Sequence, residues 1–172
     1  MGPISAEIEI DAPRERIFAQ LVDLAVRPSF TDHFLTGYRL TRLDSAGIGA
    51  GLRFRVDTPL RSPWMDTAIV EVEEPFRIVE RGESGRANRI PTRTVWELTG
   101  ASGSLTAVRV THWTEPTHPL DRAVEGLSGA AFWQGRGWRE ALRRLRDNVE
   151  SGAPAGERIA VAGGNRYATG IP

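Results

Sequence analysis

The sequence contains neither cysteine nor lysine. Without cysteine, the chain cannot form disulfide bonds, thiolate metal sites or a cysteine nucleophile. The 22 basic residues are consequently all arginine, and 22 acidic residues balance them to a net charge of zero. A neutral total argues against a broad electrostatic surface for nucleic acid or anionic membrane. We therefore expect no nucleic-acid partner.

Long apolar runs and cofactor-binding motifs are also missing. No stretch approaches the ~20 apolar residues that span a bilayer, so we expect a cytoplasmic protein without integral membrane contact. The three histidines, His33, His112 and His118, show neither the tight spacing nor the helical pair typical of zinc sites. The glycine-rich segments lack the lysine of a phosphate-binding loop, and no Gly-x-Ser-x-Gly motif occurs. We expect no metal and no cofactor.

The length and composition indicate one globular domain followed by a tail. Of the 172 residues, 40% are hydrophobic and 26% are charged, which is enough for a substantial core. After residue 150 small residues dominate, beginning with Gly-Ala-Pro-Ala-Gly. We therefore predict a domain over residues 1–150 and a C-terminal tail over residues 151–172, whose role the sequence leaves open.

Apolar and polar residues alternate from Ile4 to Ile10, which predicts a strand with one buried face. A helix is expected from Pro13 to Pro28, with a short second helical turn over residues 29–34. Glycine and proline turn signals then separate six further alternating segments. These predicted strands are 38–43, 52–57, 65–74, 76–81, 89–99 and 105–114.

Residues 118–150 predict one long helix, around which the sheet is expected to wrap. Apolar and small residues recur there at steps of three and four over about 45 Å. Each glycine inside this stripe costs about 1 kcal/mol relative to alanine. The glycines indicate either a break near residues 135–137 or close packing on the sheet. Alternatively, Gly126, Gly129 and Ala130 leave space above the sheet for a ligand.

The predicted order of elements is one strand, two short helices, six strands and a long helix. Strands joined by tight turns imply an antiparallel meander, and helices at both ends of the run imply that they pack on one face of the sheet. The expected class is α+β, with a curved antiparallel sheet around the C-terminal helix. A gap between such a sheet and its helix is a typical binding place for small ligands.

Several short motifs occur in a characteristic order: Ile8-Glu9-Ile10-Asp11-Ala12-Pro13, Ile17-Phe18, residues 49–54, residues 74–79 and residues 138–145. In this order, the sequence resembles the START-like (SRPBCC) superfamily over residues 3–150. Its helix-grip members include pollen-allergen-like proteins, polyketide cyclase/dehydrase proteins and lipid-transfer domains. The resemblance implies a helix-grip fold with a hydrophobic cavity between the sheet and the long helix, without specifying what fills it.

His112 is the candidate catalytic residue. It alternates with Val108 and Val110, so it enters the cavity if those two valines face the helix. There it is either a proton shuttle or ligand contact, or a satisfied core histidine. Further ligand-binding candidates, for which core packing is the alternative, are Phe54, Thr94, Trp96, Val110 and Trp133.

Asp66 and Glu80 are two further ligand-binding candidates. Both are placed by alternation to point inward near strand ends, where Arg93 or Arg109 is the expected partner. The alternative is exposure, which is the rule for acidic residues without a partner.

A run of arginines makes the last helix basic. The pairs Glu140 with Arg144 and Arg146 with Glu150 have the i to i+4 spacing of a solvated helix face. An acidic ligand or RNA is the alternative interpretation of this charge.

The main functional hypothesis is a module that binds a hydrophobic or aromatic small molecule, including lipids. The alternative is a cofactor-free enzyme of the polyketide cyclase/aromatase kind, in which His112 moves protons. A third hypothesis is a protein-interaction domain that uses Trp113, Trp133 and the tail. The sequence leaves open the ligand, whether a reaction is catalysed and whether the chain forms a homodimer.

Overall fold

The computed structural model describes residues 2–59, 62–85, 89–100, 104–120, 122–123 and 129–152. One strand and a run of short helices come first, six strands follow, and a long helix comes last. The elements are β1 (Ile4–Asp11), α1 (Arg14–Val22), a 3-10 turn (Leu24–Val26), α2 (Pro28–Thr31), β2 (Leu35–Leu40), β3 (Gly51–Val56), β4 (Trp64–Glu73), β5 (Arg77–Ser84), β6 (Ile90–Gly100), β7 (Leu105–Thr114) and α3 (Ala130–Glu150).

The strands form one seven-stranded antiparallel sheet in the order β1-β7-β6-β5-β4-β3-β2. Strands β2 to β7 follow one another as a meander, and β1 pairs with β7 from Ile4 opposite His112 to Asp11 opposite Leu105. Register shifts interrupt β2 and β4. Such irregularities bend a strand and increase the local twist, which helps the sheet curl around a helix.

The inner face of the sheet and one side of α3 form the core. Val108, Val110 and Trp96 on the sheet are buried, as are Leu142 and Leu145 on the helix. Each side chain of this size contributes about 1.5–3 kcal/mol when it is fully buried. The helix also packs on β1 and α2. The predicted α+β helix-grip architecture is confirmed.

The predicted length of the last helix is wrong. Helix α3 has 21 residues and begins at Ala130, after Gly129, whose backbone is left-handed with φ of 62°. A left-handed residue cannot continue a right-handed helix, and glycine adopts this conformation without a Cβ clash. Residues 119–120 and 122–123 before it are helical. Among the described residues, the helix is therefore interrupted at Gly129 and not at residues 135–137, where a break was one of the two alternatives.

Some predicted boundaries also move. The strand predicted at 38–43 is β2, which begins at Leu35 because the buried Leu35 already pairs with Val56. The helical turn predicted at 29–34 is shorter and ends at Thr31. Residues 153–172, and with them most of the predicted tail, lie outside the described residues, so the domain boundary stays a prediction. Within the described residues, no helix is both long and apolar enough to cross a membrane.

Candidate functional site

The space between the sheet and α3 is almost filled by side chains. The void bounded by described residues measures about 10 Å³, roughly the room that one water needs. A second void of about 50 Å³ lies beside it. The first void is lined by Arg27, Phe34, Leu35, Phe54, Val56, Met65, Glu80, Thr94, His112, Gln134 and Trp138. In this conformation, a guest larger than a water enters only if side chains move.

The two voids share walls and border an open cleft. Val56, Met65 and Gln134 line both voids. Phe34 lines the first void and also an outer cleft of about 590 Å³. Methionine is flexible at three bonds and adapts to neighbours of different shape. Movements of Met65 and Gln134 would therefore join the two voids, and movement of Phe34 would open them to the cleft.

A buried ion pair forms one polar wall of the first void. Arg27 Nη2 donates to Glu80 Oε1 at 2.7 Å, and both side chains are less than 5% exposed. Trp96 Nε1 donates to the same Glu80 oxygen at 2.9 Å, and the Arg27 guanidinium lies 5.0 Å from the Trp96 ring centre. A buried charge is tolerated when it is paired and hydrogen-bonded. Glu80 is therefore buried, with Arg27 and Trp96 as its hydrogen-bond donors. The alternative expectation, that Glu80 is exposed, is wrong.

His112 forms the second polar wall. Its Nδ1 lies 2.9 Å from the Thr94 hydroxyl, and the ring is fully buried beside Trp138. Burial lowers the pKa of His112 from 6.5 to about 4, although Glu80 acts in the opposite direction. The ring is therefore neutral at pH 7. The Thr94 hydroxyl can donate or accept, so it is compatible with either tautomer of the histidine.

Three residues that line this void each have a buried nitrogen atom with no hydrogen-bond partner among the described residues: His112 Nε2, Trp138 Nε1 and Arg27 Nε. The indole and guanidinium nitrogens carry hydrogens and require an acceptor. Leaving a buried donor without an acceptor costs about 1–3 kcal/mol. The remaining wall is largely apolar, from Phe34, Phe54 and Met65. An oxygen atom placed in this void, from a water or from a guest, is the kind of acceptor that the indole and guanidinium nitrogens lack.

The structure brings four predicted site residues together at this void, namely Phe54, Glu80, Thr94 and His112. Trp96 and Val110 are fully buried in the core next to it. The expected orientation of His112, on the same face as Val108 and Val110, is confirmed.

Asp66 does not join them, and its expected inward orientation is wrong. Met65 is the cross-strand partner of Phe54 and points inward with it, so the neighbouring Asp66 lies on the outer face. Its carboxylate lies 3.7 Å from Arg53. Cross-strand pairing thus decides a choice that alternation alone left ambiguous, because β4 has apolar residues in both phases.

The candidates at the start of the last helix are dispersed. Ala130 lines the second void, and Trp133 is 42% exposed and lines the outer cleft. Gly129 forms the left-handed residue before α3. Gly126 lies outside the described residues.

The protein-interaction hypothesis stays a prediction. One of its residues, Trp113, donates its indole hydrogen to Glu115 at 3.1 Å. The tail that completes the hypothesis lies mostly outside the described residues.

Sequence reasoning missed Arg27 as the partner of Glu80, for which Arg93 or Arg109 was expected. Arg109 instead pairs with Glu7 on the outer face of the sheet at 2.7 Å. One signal was available: Arg27 lies between apolar residues of the 3-10 turn and Phe30. An arginine among residues destined for the core requires a buried acid. Gln134 and Trp138 were also missed as lining residues.

The outer cleft has a different character. It lies between the first half of α3 and residues 57–59 after β3, and it carries three arginines, Arg136, Arg139 and Arg143. At its inner edge, His33 Nε2 donates to the carbonyl oxygen of Gly137 at 3.1 Å. Burial lowers the pKa of His33, so this ring too is neutral at pH 7. Among the described residues, no three His, Asp or Glu side chains stand close enough to share a metal ion.

A family profile described as polyketide cyclase / dehydrase and lipid transport matches residues 1–150. No curated protein matches the sequence significantly.

Solved structures of low sequence identity share the fold. A protein from Thermus thermophilus is 18% identical, with a TM-score of 0.67 over 89% of this chain and 100% of its own. Major latex-like protein 151 from Panax ginseng is 12% identical, with a TM-score of 0.64 over 86% of this chain and 96% of its own. A START superfamily protein from Mycobacterium smegmatis is 17% identical, with a TM-score of 0.59 over 87% of this chain and 97% of its own.

Proposed function

Since this chain belongs to the polyketide cyclase / dehydrase and lipid transport family, we propose that it binds a hydrophobic or aromatic small molecule between the sheet and α3. The resemblance to the START-like superfamily is confirmed by this match and by the START superfamily neighbour. The proposed guest carries one polar oxygen, as a phenol or a ketone does, on a largely apolar body.

The observation that carries the proposal is the set of partnerless nitrogens at the first void. Trp138 Nε1 and Arg27 Nε, for which the described residues offer no acceptor, are buried donors in a wall that is otherwise mostly apolar. Each unsatisfied buried donor costs about 1–3 kcal/mol. A guest oxygen that accepts a hydrogen bond from either donor offsets part of this cost. His112 Nε2 adds a donor or an acceptor, depending on its tautomer, so that both carbonyl and hydroxyl oxygens are suited.

Entry of a guest requires the interior to expand. Met65 and Gln134 line both voids, and both side chains have several rotatable bonds. Their displacement loses packing contacts, and the burial of the guest's apolar surface offsets this loss at about 25 cal/mol per Å². Binding is therefore expected to be favourable only for guests with a substantial apolar surface.

Titration of the purified protein with 2-naphthol, 1-dodecanol and naphthalene tests this function. We expect saturable binding of one guest per chain, with 2-naphthol about tenfold tighter than naphthalene because only the phenol offers an oxygen. Met65→Trp fills the interior and should abolish binding. Val70→Trp on the same strand, at a position 44% exposed, is the matched control and should leave binding unchanged.

Binding of none of these probes would overturn the proposed function, as would equal binding by the two tryptophan variants. Circular dichroism and urea unfolding of both variants establish that each is folded.

The second candidate function is enzymatic, and the position of His112 favours it. The ring lines the void, its Nε2 has no partner among the described residues, and it is neutral at pH 7. A neutral imidazole next to a bound polyketone can accept a proton from a carbon next to a carbonyl and return it to an oxygen. Because burial lowers the pKa of His112 to about 4, it would be a weak base.

Replacement of His112 separates the two functions. If the protein is an enzyme, His112→Ala should abolish turnover of an aromatic polyketone while 2-naphthol still binds. Thr94→Val removes the hydroxyl partner of His112 and keeps the side-chain shape, so it should reduce turnover less. Full turnover by the folded His112→Ala variant would exclude this role of His112.

A further inference from the structure

We propose that the natural guest is an amphipathic acid. Its anionic group binds Arg136 and Arg139 in the outer cleft, and its largely apolar part, which carries the polar oxygen of the proposed guest, passes Phe34 into the interior. This inference rests on the proposed function and specifies the chemical class of the guest. The cleft measures about 590 Å³, which is ample for a charged head group. It lies beside the interior void, from which the Phe34 ring separates it.

The two acidic side chains of the cleft, Asp57 and Glu140, already have partners within the protein. Asp57 accepts from the Thr36 hydroxyl at 2.8 Å and lies 3.5 Å from Arg55. Glu140 accepts from Arg143 at 3.3 Å and from Arg144 at 3.4 Å. Both acids of the cleft are therefore already engaged.

Two arginines of the cleft remain available. Arg136 and Arg139 are exposed and form no ion pair with the described part of the chain. They are three residues apart on one helix, a spacing that places both side chains on the same face. Each guanidinium presents a planar fork of donors that matches a carboxylate or phosphate group. The cleft thus has two positive charges for which its own acids provide no partner.

Phe34 connects the cleft to the interior. Its ring lines both, and it packs edge-on against Trp138 with ring centres 5.2 Å apart. It also lies over Gly137, where a Cβ atom would come within 2.6 Å of the ring. The glycine therefore lets the aromatic ring close the passage tightly. A guest whose tail displaces this ring leaves its head group beside Arg136 and Arg139.

Both carboxylates and phosphates have the anionic oxygens that this pair requires, so the test includes both. Equilibrium binding of dodecanoate, dodecyl phosphate and neutral 1-dodecanol is measured by calorimetry at low ionic strength, below the micelle concentrations. In the wild-type protein we expect at least one anion to bind about tenfold tighter than the alcohol of equal chain length. The preference should decrease at high salt because exposed charges are screened.

The Arg136→Gln/Arg139→Gln double variant should lose the preference and still bind the alcohol. The Arg53→Gln/Arg109→Gln double variant removes two positive charges from the outer face of the sheet and should keep the preference. Loss in both double variants would mean that only the net charge matters, which contradicts the proposed site.

The outcomes separate this inference from the proposed function. Equal binding of anions and alcohol by the wild-type protein overturns the inference and leaves the proposed function intact. A preference that survives in Arg136→Gln/Arg139→Gln also overturns the inference. Failure of all three probes to bind overturns the inference, and it overturns the proposed function as well only if 2-naphthol and naphthalene also fail to bind.

Discussion

The buried His112 makes the stability of the folded protein depend on pH. Burial lowers its pKa to about 4 in the folded chain, whereas its ordinary value is 6.5. Between these two values the unfolded chain binds a proton that the folded chain does not, so the folded state loses stability as pH falls. The stabilisation is complete above pH 6.5 and is lost as pH falls towards 4.

Urea unfolding of the wild type at about pH 7.5 and pH 5 should show a loss of roughly 2 kcal/mol attributable to this residue. His112→Gln keeps a polar side chain but has no titrating group. Its free energy of unfolding should therefore fall by roughly 2 kcal/mol less than that of the wild type between about pH 7.5 and pH 5. Carboxylates and His33 contribute equally to both proteins and cancel in the comparison. An identical loss in the two proteins would contradict the buried, neutral state of His112.

The Arg27–Glu80 pair should be the most sensitive polar contact of the core. Glu80→Ala leaves a buried guanidinium without its carboxylate, and we expect a loss of about 3–5 kcal/mol in the free energy of unfolding. Replacement of both residues, as Arg27→Met/Glu80→Leu, removes the uncompensated charge and should restore much of the loss.

The Arg109–Glu7 pair provides the control for this prediction. It has the same 2.7 Å separation but is half exposed on the outer face. Glu7→Ala should therefore change stability little, since exposed ion pairs are screened by solvent. Equal losses in the free energy of unfolding for Glu80→Ala and Glu7→Ala would contradict the prediction that burial makes the Arg27–Glu80 pair more sensitive to substitution.

At the scale of elements, α3 contains two glycines with opposite expected behaviour. A Cβ atom on Gly137 would lie 2.6 Å from the Phe34 ring, but on Gly135 it would meet only Ile4 Cγ2 at an ordinary 3.4 Å. In a helix interior, alanine is favoured over glycine by about 1 kcal/mol.

Gly135→Ala should therefore raise the free energy of unfolding by about 0.5–1 kcal/mol. Gly137→Ala should lower it by about 1–3 kcal/mol, because the Phe34 ring must move. Thermal or urea unfolding of the two variants decides the matter. Stabilisation by both would show that Phe34 does not pack tightly on α3.

The sequence predicted the elements better than their contacts. Local alternation and turn residues determine the meander, the inward face of β7 and the helix-grip order of elements. These features could therefore be predicted from the sequence. The break at Gly129 was not, because a glycine in a periodic stretch is compatible with both helical and left-handed backbone. The pairing of Arg27 with Glu80 joins residues 53 positions apart. It depends on how the segment before α2 docks on β5, which no local pattern encodes.

At the scale of the whole molecule, the expected ligand cavity is not present between the described residues of the sheet and α3. The family resemblance implied a hollow between the sheet and α3, whereas the void there measures about 10 Å³. Cavity volume is the difference between the available space and the packed side chains, and periodicity does not report it. Expansion of the interior is therefore a condition of the proposed function.

The most direct measurement follows the five tryptophan indole N–H signals by nitrogen-15 NMR during a titration with 2-naphthol. Trp138 Nε1 has no partner among the described residues, while Trp96 Nε1 already donates to Glu80. We predict that the Trp138 signal moves downfield in proportion to binding, that Trp96 changes less and that Met65→Trp suppresses both changes. An unchanged Trp138 signal with bound 2-naphthol, or a response confined to the exposed Trp133, would contradict binding in the interior.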